Sequence, residues 1–423
     1  MTISFGLDFG TTNSVLSVAQ NEEVEIINID PTGSPRCTLK SVLFFDEEGV
    51  VHVGQHAIKQ YLEFGGNYGR FMQSIKAFLP NRSFKETVVF GKRFEIEELV
   101  AIILKEIKHR GELHVGHTVD TVVLGRPVVF SDNREDDLLA EERLRDAAIR
   151  AGFVNVHFLY EPIAATLAYE TTLAEGDEKL VFLGDFGGGT SDFVVMRLTG
   201  GKRDPRENRK NDILAVGGVY IGGDSFDSAI MWNTVAKHFG RMVQYKGSTG
   251  QSLDMPMSII RTLCQWHLIP RLRDKSTLQS IRNIKATADD RQAIQNLEDL
   301  ILENLGYMVF RSIEKAKCEL SIQDASCIKF SDRNILIEEG IVKPEFEQMS
   351  IDLVDKIRSS ADGVISRSGV RPSDIDLVLL TGGSSFIPLV RQVFVDKFGG
   401  EKIQHIDAFE SVALGLGLHA SMY

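Results

Sequence analysis

The feature that most constrains this chain is a glycine-rich segment at residues 181–195, which reads VFLGDFGGGTSDFVV. An apolar run ends in Asp185, three glycines and Thr190 follow, and a second β-prone run begins after Asp192. Strand-forming residues on both sides of a glycine turn predict a β-hairpin. For the three glycines alone, an ordinary hairpin turn is the simplest explanation.

The same turn also suits a phosphate group. Glycines adopt backbone angles closed to other residues, and without side chains they let a ligand approach the main-chain N–H groups. A row of such donors forms a cradle for an anion. Thr190 adds a hydroxyl donor, and Asp185 offers a hard oxygen to hydrated Mg²⁺. A polyphosphate with its metal ion would use all of these groups, which include Gly187, Gly188 and Gly189.

The N-terminus repeats this order of residues. Residues 5–15 read FGLDFGTTNSV, in which Asp8 ends an apolar run and a polar turn follows. The candidate turn residues are Gly10, Thr11, Thr12 and Asn13. Two hairpins of the same kind in one chain predict an internal duplication. Two such cradles imply two lobes that face each other across a nucleotide.

On these motifs the chain resembles the actin-like ATPase superfamily and, within it, the nucleotide-binding domain of DnaK-type heat-shock chaperones. GLDFGTTNS is similar to that family's first phosphate signature, and GDFGGGTSD is similar to its second. The short YegD-type chaperone-like proteins look closer still, because Gly125-Arg126-Pro127 and the C-terminus resemble theirs. The resemblance implies an α/β fold of the duplicated, ribonuclease-H-like ATPase type, with two lobes flanking a nucleotide cleft. It also implies ATP or ADP with Mg²⁺ as cofactors, and K⁺ as a further candidate.

The resemblance also sets the expected domain organisation. With 423 residues, the chain is long enough for two lobes that each have a core. The expected parts are lobe I at 1–175 with a peripheral insertion at about 36–116, lobe II at 176–400 with an insertion at about 228–345, and a C-terminal helix at 401–423 that returns to lobe I. A charged stretch at 200–212 predicts a solvated loop.

Two further residues gain candidate roles from the resemblance. The segment RFMQSIKAFL is similar to the family segment whose lysine reaches the terminal phosphate, which makes Lys76 the candidate. Glu161 lies in an E-P-x-A-A motif, whose glutamate helps to place the attacking water in the family. The alternatives are a solvated surface lysine at position 76 and, at position 161, a carboxylate that only stabilises a helix start.

Three more motifs are expected to contact the nucleotide. Gly222-Gly223-Asp224 matches a family turn that approaches the phosphates. Glu314, Lys317 and Ser321 match the nucleoside-contacting motif E-x-x-K-x-x-x-S, although a plain salt bridge would also explain the first two. Gly382-Gly383-Ser384 follows an apolar strand and precedes a helix, and the free N–H groups of such a turn suit a phosphate or adenosine.

The chain departs from the family pattern at the base. Two arginines that hold adenine in the family are replaced by Phe386 and Cys318, and a hinge-side aspartate is replaced by Phe409. An aromatic ring can stack on any purine, so we expect Phe386 to contact the base. The alternative is that Phe386 packs into the core under the turn.

These assignments together imply a mechanism. The candidate catalytic residues are Lys76, Glu161, Asp185 and Thr190, and the residues expected to hold cations through water are Asp8, Asp185 and Asp192. We therefore expect a Mg²⁺-dependent ATP-binding protein that hydrolyses ATP slowly and acts as a nucleotide-gated, chaperone-like switch. The alternatives are a small-molecule kinase of the sugar-kinase type, for which we find no separate carboxylate motif, and a nucleotide-binding scaffold without hydrolysis.

Composition limits the partners. The net charge of −12 argues against a nucleic-acid-binding surface, because the phosphates would be repelled. No apolar stretch has the length of a membrane span, no signal peptide is evident, and the four cysteines lack the paired spacing of a zinc or disulfide site. We therefore expect a cytoplasmic protein that binds nucleotide and a protein partner. No peptide-binding domain is expected after the last helix.

Overall fold

The computed structural model describes residues 3–21, 23–64, 69–201, 209–247, 249–407 and 410–423. Most of the loop predicted at 200–212, and Phe409, lie outside the described residues. The chain divides into two compact units: unit 1 comprises Met1–Tyr61, Arg70–Gly223 and Asp355–Tyr423, and unit 2 comprises Leu62–Gly69 and Asp224–Val354. The lobe boundaries expected from the sequence stay a prediction.

The chain contains both strands and helices throughout, with a run of strands at the N-terminus and a run of helices in the middle. The strands are β1 Ile3–Phe9, β2 Asn13–Gln20, β3 Glu23–Ile26, β4 Thr38–Lys40, β5 Val42–Asp46, β6 Val51–Val53, β7 Gly69–Gln73, β8 Glu86–Val89, β9 Lys92–Glu95, β10 Thr121–Arg126, β11 Asn155–Tyr160, β12 Glu178–Phe186, β13 Ser191–Thr199, β14 Ile213–Val219, β15 Gln244–Lys246, β16 Ser252–Asp254, β17 Ala325–Asp332, β18 Ile335–Val342, β19 Leu377–Thr381 and β20 Ile403–His405. The helices are α1 Gly54–Phe64, α2 Ile96–Val115, α3 Arg134–Arg150, α4 Glu161–Glu170, α5 Gly223–Ile230, α6 Met257–Leu263, α7 Lys275–Thr287, α8 Arg291–Leu302, α9 Gly306–Leu320, α10 Lys343–Ser368, α11 Pro388–Phe398 and α12 Glu410–Ala420.

The first large sheet of unit 1 has the strand order β11-β10-β1-β2-β3. Strands β1, β2 and β3 are antiparallel neighbours, whereas β10 and β11 run parallel to β1. Short turns can join antiparallel strands, but parallel strands need a crossover connection, which α3 supplies between β10 and β11. The predicted N-terminal hairpin is therefore β1–β2.

The second large sheet of unit 1 has the order β14-β13-β12-β19-β20. Strands β12, β13 and β14 are antiparallel, β19 and β20 run parallel to β12, and α11 connects β19 to β20. This pattern is the same as that of the first sheet, with β12 in the place of β1. The duplicated α/β fold predicted from the two hairpin motifs is confirmed.

Apolar side chains of both hairpins form the cores of unit 1. In β1, Phe5, Leu7 and Phe9 are fully buried and pack in a cluster with residues of α2 and α3. The second cluster joins β12 and β13 to residues of α4 and α12. Helices α4 and α12 approach so closely that a Cβ at Gly415 would overlap the carbonyl oxygen of Ala164, and glycine is therefore required there.

Unit 2 contains the hairpins β15–β16 and β17–β18 and most of the middle helices. Its core includes Phe226 and Phe346, whose ring centroids lie 6.3 Å apart. Helix α9 carries the predicted nucleoside motif and packs beside β17. Among the described residues, no helix combines the length and the apolar character that a membrane crossing needs.

Candidate functional site

The turns of the two hairpins come together in unit 1. Asp8 lies opposite Val15 in the β1–β2 hairpin, and Asp185 lies opposite Asp192 in the β12–β13 hairpin. A Cβ built at Gly189 would lie 3.7 Å from Oγ1 of Thr11, so the second glycine turn faces the first turn. The sequence motifs that are far apart in the chain therefore form one site.

A buried ion pair lies within this site. Lys76 Nζ donates a hydrogen bond of 2.8 Å to Oε1 of Glu161. Lys76 is only 7% exposed, so the alternative of a solvated surface lysine is wrong. It belongs to a 3₁₀ turn, Ile75–Phe78, and the preceding Ser74 has a left-handed φ of 46°. Glu161 is the first residue of α4, directly after β11.

Negative charge exceeds positive charge around this pair. Burial raises the pKa of Asp8 well above its usual value, and the charges of Glu161 and Asp185 raise it further, while Lys76 lowers it. Burial and the charges of Glu161 and Asp192 likewise raise the pKa of Asp185. For Asp192, burial and Glu161 outweigh the hydrogen bonds it accepts and raise the pKa to about 7. Four carboxylates thus share one ammonium group, and a bound cation would relieve their repulsion.

The structure fixes Asp192 through both carboxylate oxygens. Oδ1 accepts a hydrogen bond of 2.8 Å from the backbone N–H of Val128, and Oδ2 accepts one of 2.8 Å from the Thr190 hydroxyl. Asp192 is 1% exposed, whereas Asp8 and Asp185 keep some exposed surface. Asp8 and Asp185 are therefore the carboxylates that an ion in solution can reach. The Thr190 hydroxyl, expected to serve the ligand, donates to Asp192.

The donor set fits hydrated Mg²⁺ better than a directly bound ion. Within the described ranges, no group of three or more His, Cys, Asp or Glu side chains is arranged to hold a metal. Mg²⁺ keeps several waters in many protein sites and needs few protein ligands. Accessible carboxylates that attract an ion through its water are consistent with the expectation from the sequence.

The glycine turn differs in two respects from the sequence-based expectation. None of Gly187, Gly188 and Gly189 has a positive φ, so conformational freedom does not explain the run. The N–H of Gly187 donates to the carbonyl of Thr190 at 3.0 Å and closes the turn. The missing side chains still leave room for a ligand, because a Cβ at Gly187 would have only one heavy-atom neighbour within 4 Å, the Thr190 oxygen at 3.6 Å.

The turn at Gly222-Gly223 packs on this glycine run. The N–H of Gly223 donates to the carbonyl of Gly187 at 3.1 Å, and a Cβ at Gly222 would lie 2.5 Å from the carbonyl oxygen of Gly188. Only glycine permits such an approach. The Gly222-Gly223 turn therefore supports the glycine run at Gly187-Gly188-Gly189.

The N-terminal turn is held by a residue that the sequence did not single out. Ser41 donates its hydroxyl to the carbonyl of Gly10 at 2.8 Å and its N–H to the carbonyl of Thr12 at 2.9 Å. A Cβ at Gly10 would overlap the carbonyl oxygen of Asn13, so the turn requires glycine there. Ser41 is fully buried between β4 and β5, and no sequence pattern marks it.

The predicted adenosine turn, Gly382-Gly383-Ser384, follows β19 in unit 1. Gly382 has a φ of 85°, and a Cβ there would overlap the carbonyl oxygen of Phe186. Phe386 is 56% exposed, so the alternative that it packs into the core is wrong. Its ring stacks on His405 with a centroid distance of 4.9 Å and an interplanar angle of 11°. Sequence reasoning missed His405.

The remaining predicted nucleoside residues lie in unit 2. Glu314 is exposed, and Lys317 is buried, with its Nζ 2.9 Å from Oδ2 of Asp227. Ser321 donates to the carbonyl of Lys317 at 3.3 Å. Burial, and then the charge of Asp227, raises the pKa of Asp224 to about 7 although Lys317 opposes the shift. Lys317 therefore has a structural partner beside its predicted role.

Two sheets of the same strand order, each with an aspartate beside the turn of its central hairpin, define the actin-like ATPase fold. The family model described as Hsp70 protein matches residues 4–255 and 284–423, and the chain belongs to the Hsp70 family. Similar curated proteins include the chaperone protein DnaK of Thermosipho melanesiensis, 26% identical over 99% of this chain, and that of Thermotoga petrophila, 27% identical over 99%. The chain spans 59% of the length of each of these relatives.

Proposed function

We propose that this chain binds ATP or ADP with Mg²⁺ at the carboxylate cluster of unit 1 and hydrolyses ATP slowly. The observation that carries the proposal is the buried Lys76–Glu161 pair beside Asp8, Asp185 and Asp192. A cluster with three carboxylates in excess of its ammonium group has a strong affinity for cations. The facing turns of the two hairpins leave space for phosphates beside it.

Each charged group has a separate proposed role. Asp8 and Asp185 attract the hydrated ion, which when bound neutralises the phosphate charge. The Lys76 ammonium stabilises negative charge that develops during phosphoryl transfer. Glu161 orients a water molecule, and its hydrogen bond from Lys76 fixes the direction of the carboxylate. Thr190 holds Asp192 and thereby keeps the second hairpin in place.

We assign the nucleoside to the remaining predicted residues. Gly382-Gly383-Ser384 and the exposed ring of Phe386 are the proposed nucleoside contacts of unit 1, and Glu314, Lys317 and Ser321 are those of unit 2. K⁺ is a further candidate ion for the carboxylate cluster. These assignments extend the family relationship to residues of this chain.

We also propose a role as a nucleotide-gated switch, which membership of the family supports. The similar proteins carry the name chaperone protein DnaK, and ligands that favour one conformation of a chain shift its population. We propose that nucleotide controls the binding of a protein partner. The cytoplasm is the proposed location, since the described cysteines are free thiols.

A hydrolysis assay tests the proposal. Purified chain with ATP and Mg²⁺ should release phosphate slowly, removal of Mg²⁺ with a chelator should stop the release, and added sugars should not change the rate. Asp8→Asn serves as the inactive control. Sugar-dependent formation of ADP would instead identify a small-molecule kinase, and tight nucleotide binding without any phosphate release would identify a scaffold.

A further inference from the structure

Arg126 is a buried arginine that the predicted site does not include. It ends β10 and is only 6% exposed. A charge so far from water is costly unless it is paired and hydrogen-bonded. Burial lowers the pKa of Arg126, but hydrogen bonds and charges from Asp137 and Glu141 outweigh this effect and raise it. The guanidinium therefore stays charged inside the protein.

The guanidinium is hydrogen-bonded on all sides. Nε donates to the carbonyl of Pro127 at 3.1 Å, and Nη2 donates to the carbonyl of Val128 at 3.4 Å. Nη2 also lies 3.0 Å from both carboxylate oxygens of Asp137, and Nη1 donates to Glu141. Arginine has a planar set of five N–H donors, which suits two carbonyls and two carboxylates at once. Arg126 thus joins the segment 127–130 to helix α3.

Two aromatic rings complete this environment. The Cζ atom of Arg126 lies 5.1 Å from the ring centroid of Phe130 and 5.3 Å from that of Tyr160. A cation this close to an aromatic face is attracted to it. The N–H of Phe130 also donates to Oδ1 of Asp137 at 2.6 Å. Asp137 therefore binds Arg126, directly before the segment, and Phe130, the last residue of the segment.

Three contacts of Arg126 each lead to one charged group of the candidate site. Val128, whose carbonyl accepts from Arg126, donates its N–H to Asp192 at 2.8 Å. The ring of Phe130 lies 5.9 Å from Nζ of Lys76. Tyr160 directly precedes Glu161 in the chain. One arginine therefore supports the neighbours of Asp192, Lys76 and Glu161.

We propose that Arg126 is a positioning residue: it holds the segment 127–130 so that the Val128 N–H stays on Asp192 and the Phe130 ring stays beside Lys76. It acts through these neighbours and not on the nucleotide. The inference rests on the proposed hydrolysis for its catalytic consequence. The positioning itself is a property of the protein without nucleotide.

The first test measures the segment in the nucleotide-free protein. Arg126→Lys keeps the charge, but an ammonium cannot bond the carbonyls and both carboxylates in the same geometry. We expect hydrogen exchange at the Val128 and Phe130 amides, measured by NMR, to become about tenfold faster or more as the segment opens locally. Arg209→Lys is the matched control, because Arg209 is mostly buried and pairs with Glu170 and Asp212. Unchanged exchange in Arg126→Lys would overturn the proposal.

The second test measures hydrolysis. We expect Arg126→Lys to lower kcat about ten- to a hundredfold, since small misplacements of reacting groups are costly. KM for MgATP should change less than about threefold, because uniform binding is untouched. Asp137→Asn provides a second variant of the same network and should show the same split. The role would be contradicted if Arg126→Lys lost no more kcat than Arg209→Lys. It would also be contradicted if KM of Arg126→Lys rose by the same factor by which its kcat fell.

A double variant separates positioning from general destabilisation. If Arg126 acts through Asp192, its substitution should cost much less kcat in an Asp192→Asn background than in the wild type. If the losses of kcat in the two single variants simply add in the double variant, Arg126 does not act through Asp192. If the wild-type chain released no phosphate, the proposed function would fail, and the exchange rates would still decide whether Arg126 holds Val128 on Asp192.

Discussion

Each unit contains a buried pair of a lysine and a carboxylate, and the two pairs differ in the charges around them. In unit 1, Lys76 pairs with Glu161, and Asp8, Asp185 and Asp192 add three more carboxylates. In unit 2, Lys317 pairs with Asp227, and Asp224 is a further, partly buried acid whose pKa the pair influences. A pKa of about 7 lets Asp224 take up a proton near neutrality, which leaves one ammonium and one carboxylate.

We propose that this difference separates a site that attracts ions from a pair that stabilises the fold. One proton can balance the unit 2 group, whereas the unit 1 group has four carboxylates to one ammonium and needs three protons or a bound cation to reach balance. The same residue types thus predict metal binding in one place and structural stability in the other. Substitutions in the two groups test this difference. We expect the largest change in free energy from a substitution in unit 2.

Removal of the unit 2 lysine should mainly affect stability. Lys317→Met leaves Asp227 buried without its cation, which typically costs about 3 to 5 kcal/mol of unfolding free energy. Urea unfolding followed by tryptophan fluorescence measures it, because the two tryptophans, Trp232 and Trp266, both belong to unit 2. Lys329→Met, which breaks an exposed pair with Glu338, is the control and should change stability little. Equal effects of both variants would remove the structural role of the buried pair.

Removal of a unit 1 carboxylate should mainly affect hydrolysis. Asp8→Asn and Asp185→Asn should each slow phosphate release by about 10² or more, as the loss of a positioned electrostatic group does. Circular dichroism should stay like that of the wild type, and the unfolding midpoint should be equal to or higher than that of the wild type, because each substitution removes repulsion within the cluster. Normal turnover in either folded variant would exclude the metal role of that aspartate.

Neutralisation of Asp224 should stabilise the protein in a pH-dependent way. Its folded pKa of about 7 lies above the ordinary value of 3.8, so the folded state binds the proton more tightly, and stability is lost as the pH rises from about 4 to 7. A pKa raised from 3.8 to about 7 corresponds to about 4 kcal/mol for a fully buried group. Because Asp224 keeps some exposed surface, we expect Asp224→Asn to be more stable than the wild type by about half of this, ~2 kcal/mol, at pH 8, with little difference at pH 4. Urea unfolding at both pH values measures it. A less stable variant at pH 8 would mean that the charged form makes favourable contacts.

The exposed ring at the glycine turn should have the smallest effect. Phe386→Ala should weaken ATP binding by about tenfold, because stacking on a base contributes about 1 to 3 kcal/mol and tolerates any base. GTP should lose the same factor, since a ring offers no hydrogen bond that distinguishes purines. Calorimetric titration of both nucleotides measures it, with His405→Ala as a partner variant that removes support for the ring. Unaltered affinities would place Phe386 away from the base.

The order of residues in the two hairpins is enough to predict the duplicated fold. Asp8 and Asp185 each lie near the end of the first strand of a hairpin, and such a pattern is local in sequence. The contacts across the site are not predictable in this way, because Lys76 and Glu161 are 85 residues apart and Val128 and Asp192 are 64 apart. Tertiary packing alone brings such residues together.

Prediction from short sequence patterns also fails at two places in and beside the site. It predicts unusual backbone angles for Gly187-Gly188-Gly189, yet the φ values there are ordinary, and it is Gly222 that needs close backbone approach. It assigns no role to Arg126, although a charged residue at the end of the apolar strand β10 signals a buried partner. The carboxylate partners of Arg126 lie on α3, and only the folded chain brings them to it.

The central claim is that the unit 1 carboxylates bind nucleotide through a hydrated ion. Calorimetric titration of ATP with Mg²⁺ and with a chelator, on wild type and Asp185→Asn, tests it most directly. We expect Mg²⁺ to tighten ATP binding to the wild type by about tenfold or more, which is at least about 1.4 kcal/mol, and the variant to lose most of this gain. Equal ATP affinity of the wild type with Mg²⁺ and with the chelator would contradict the claim.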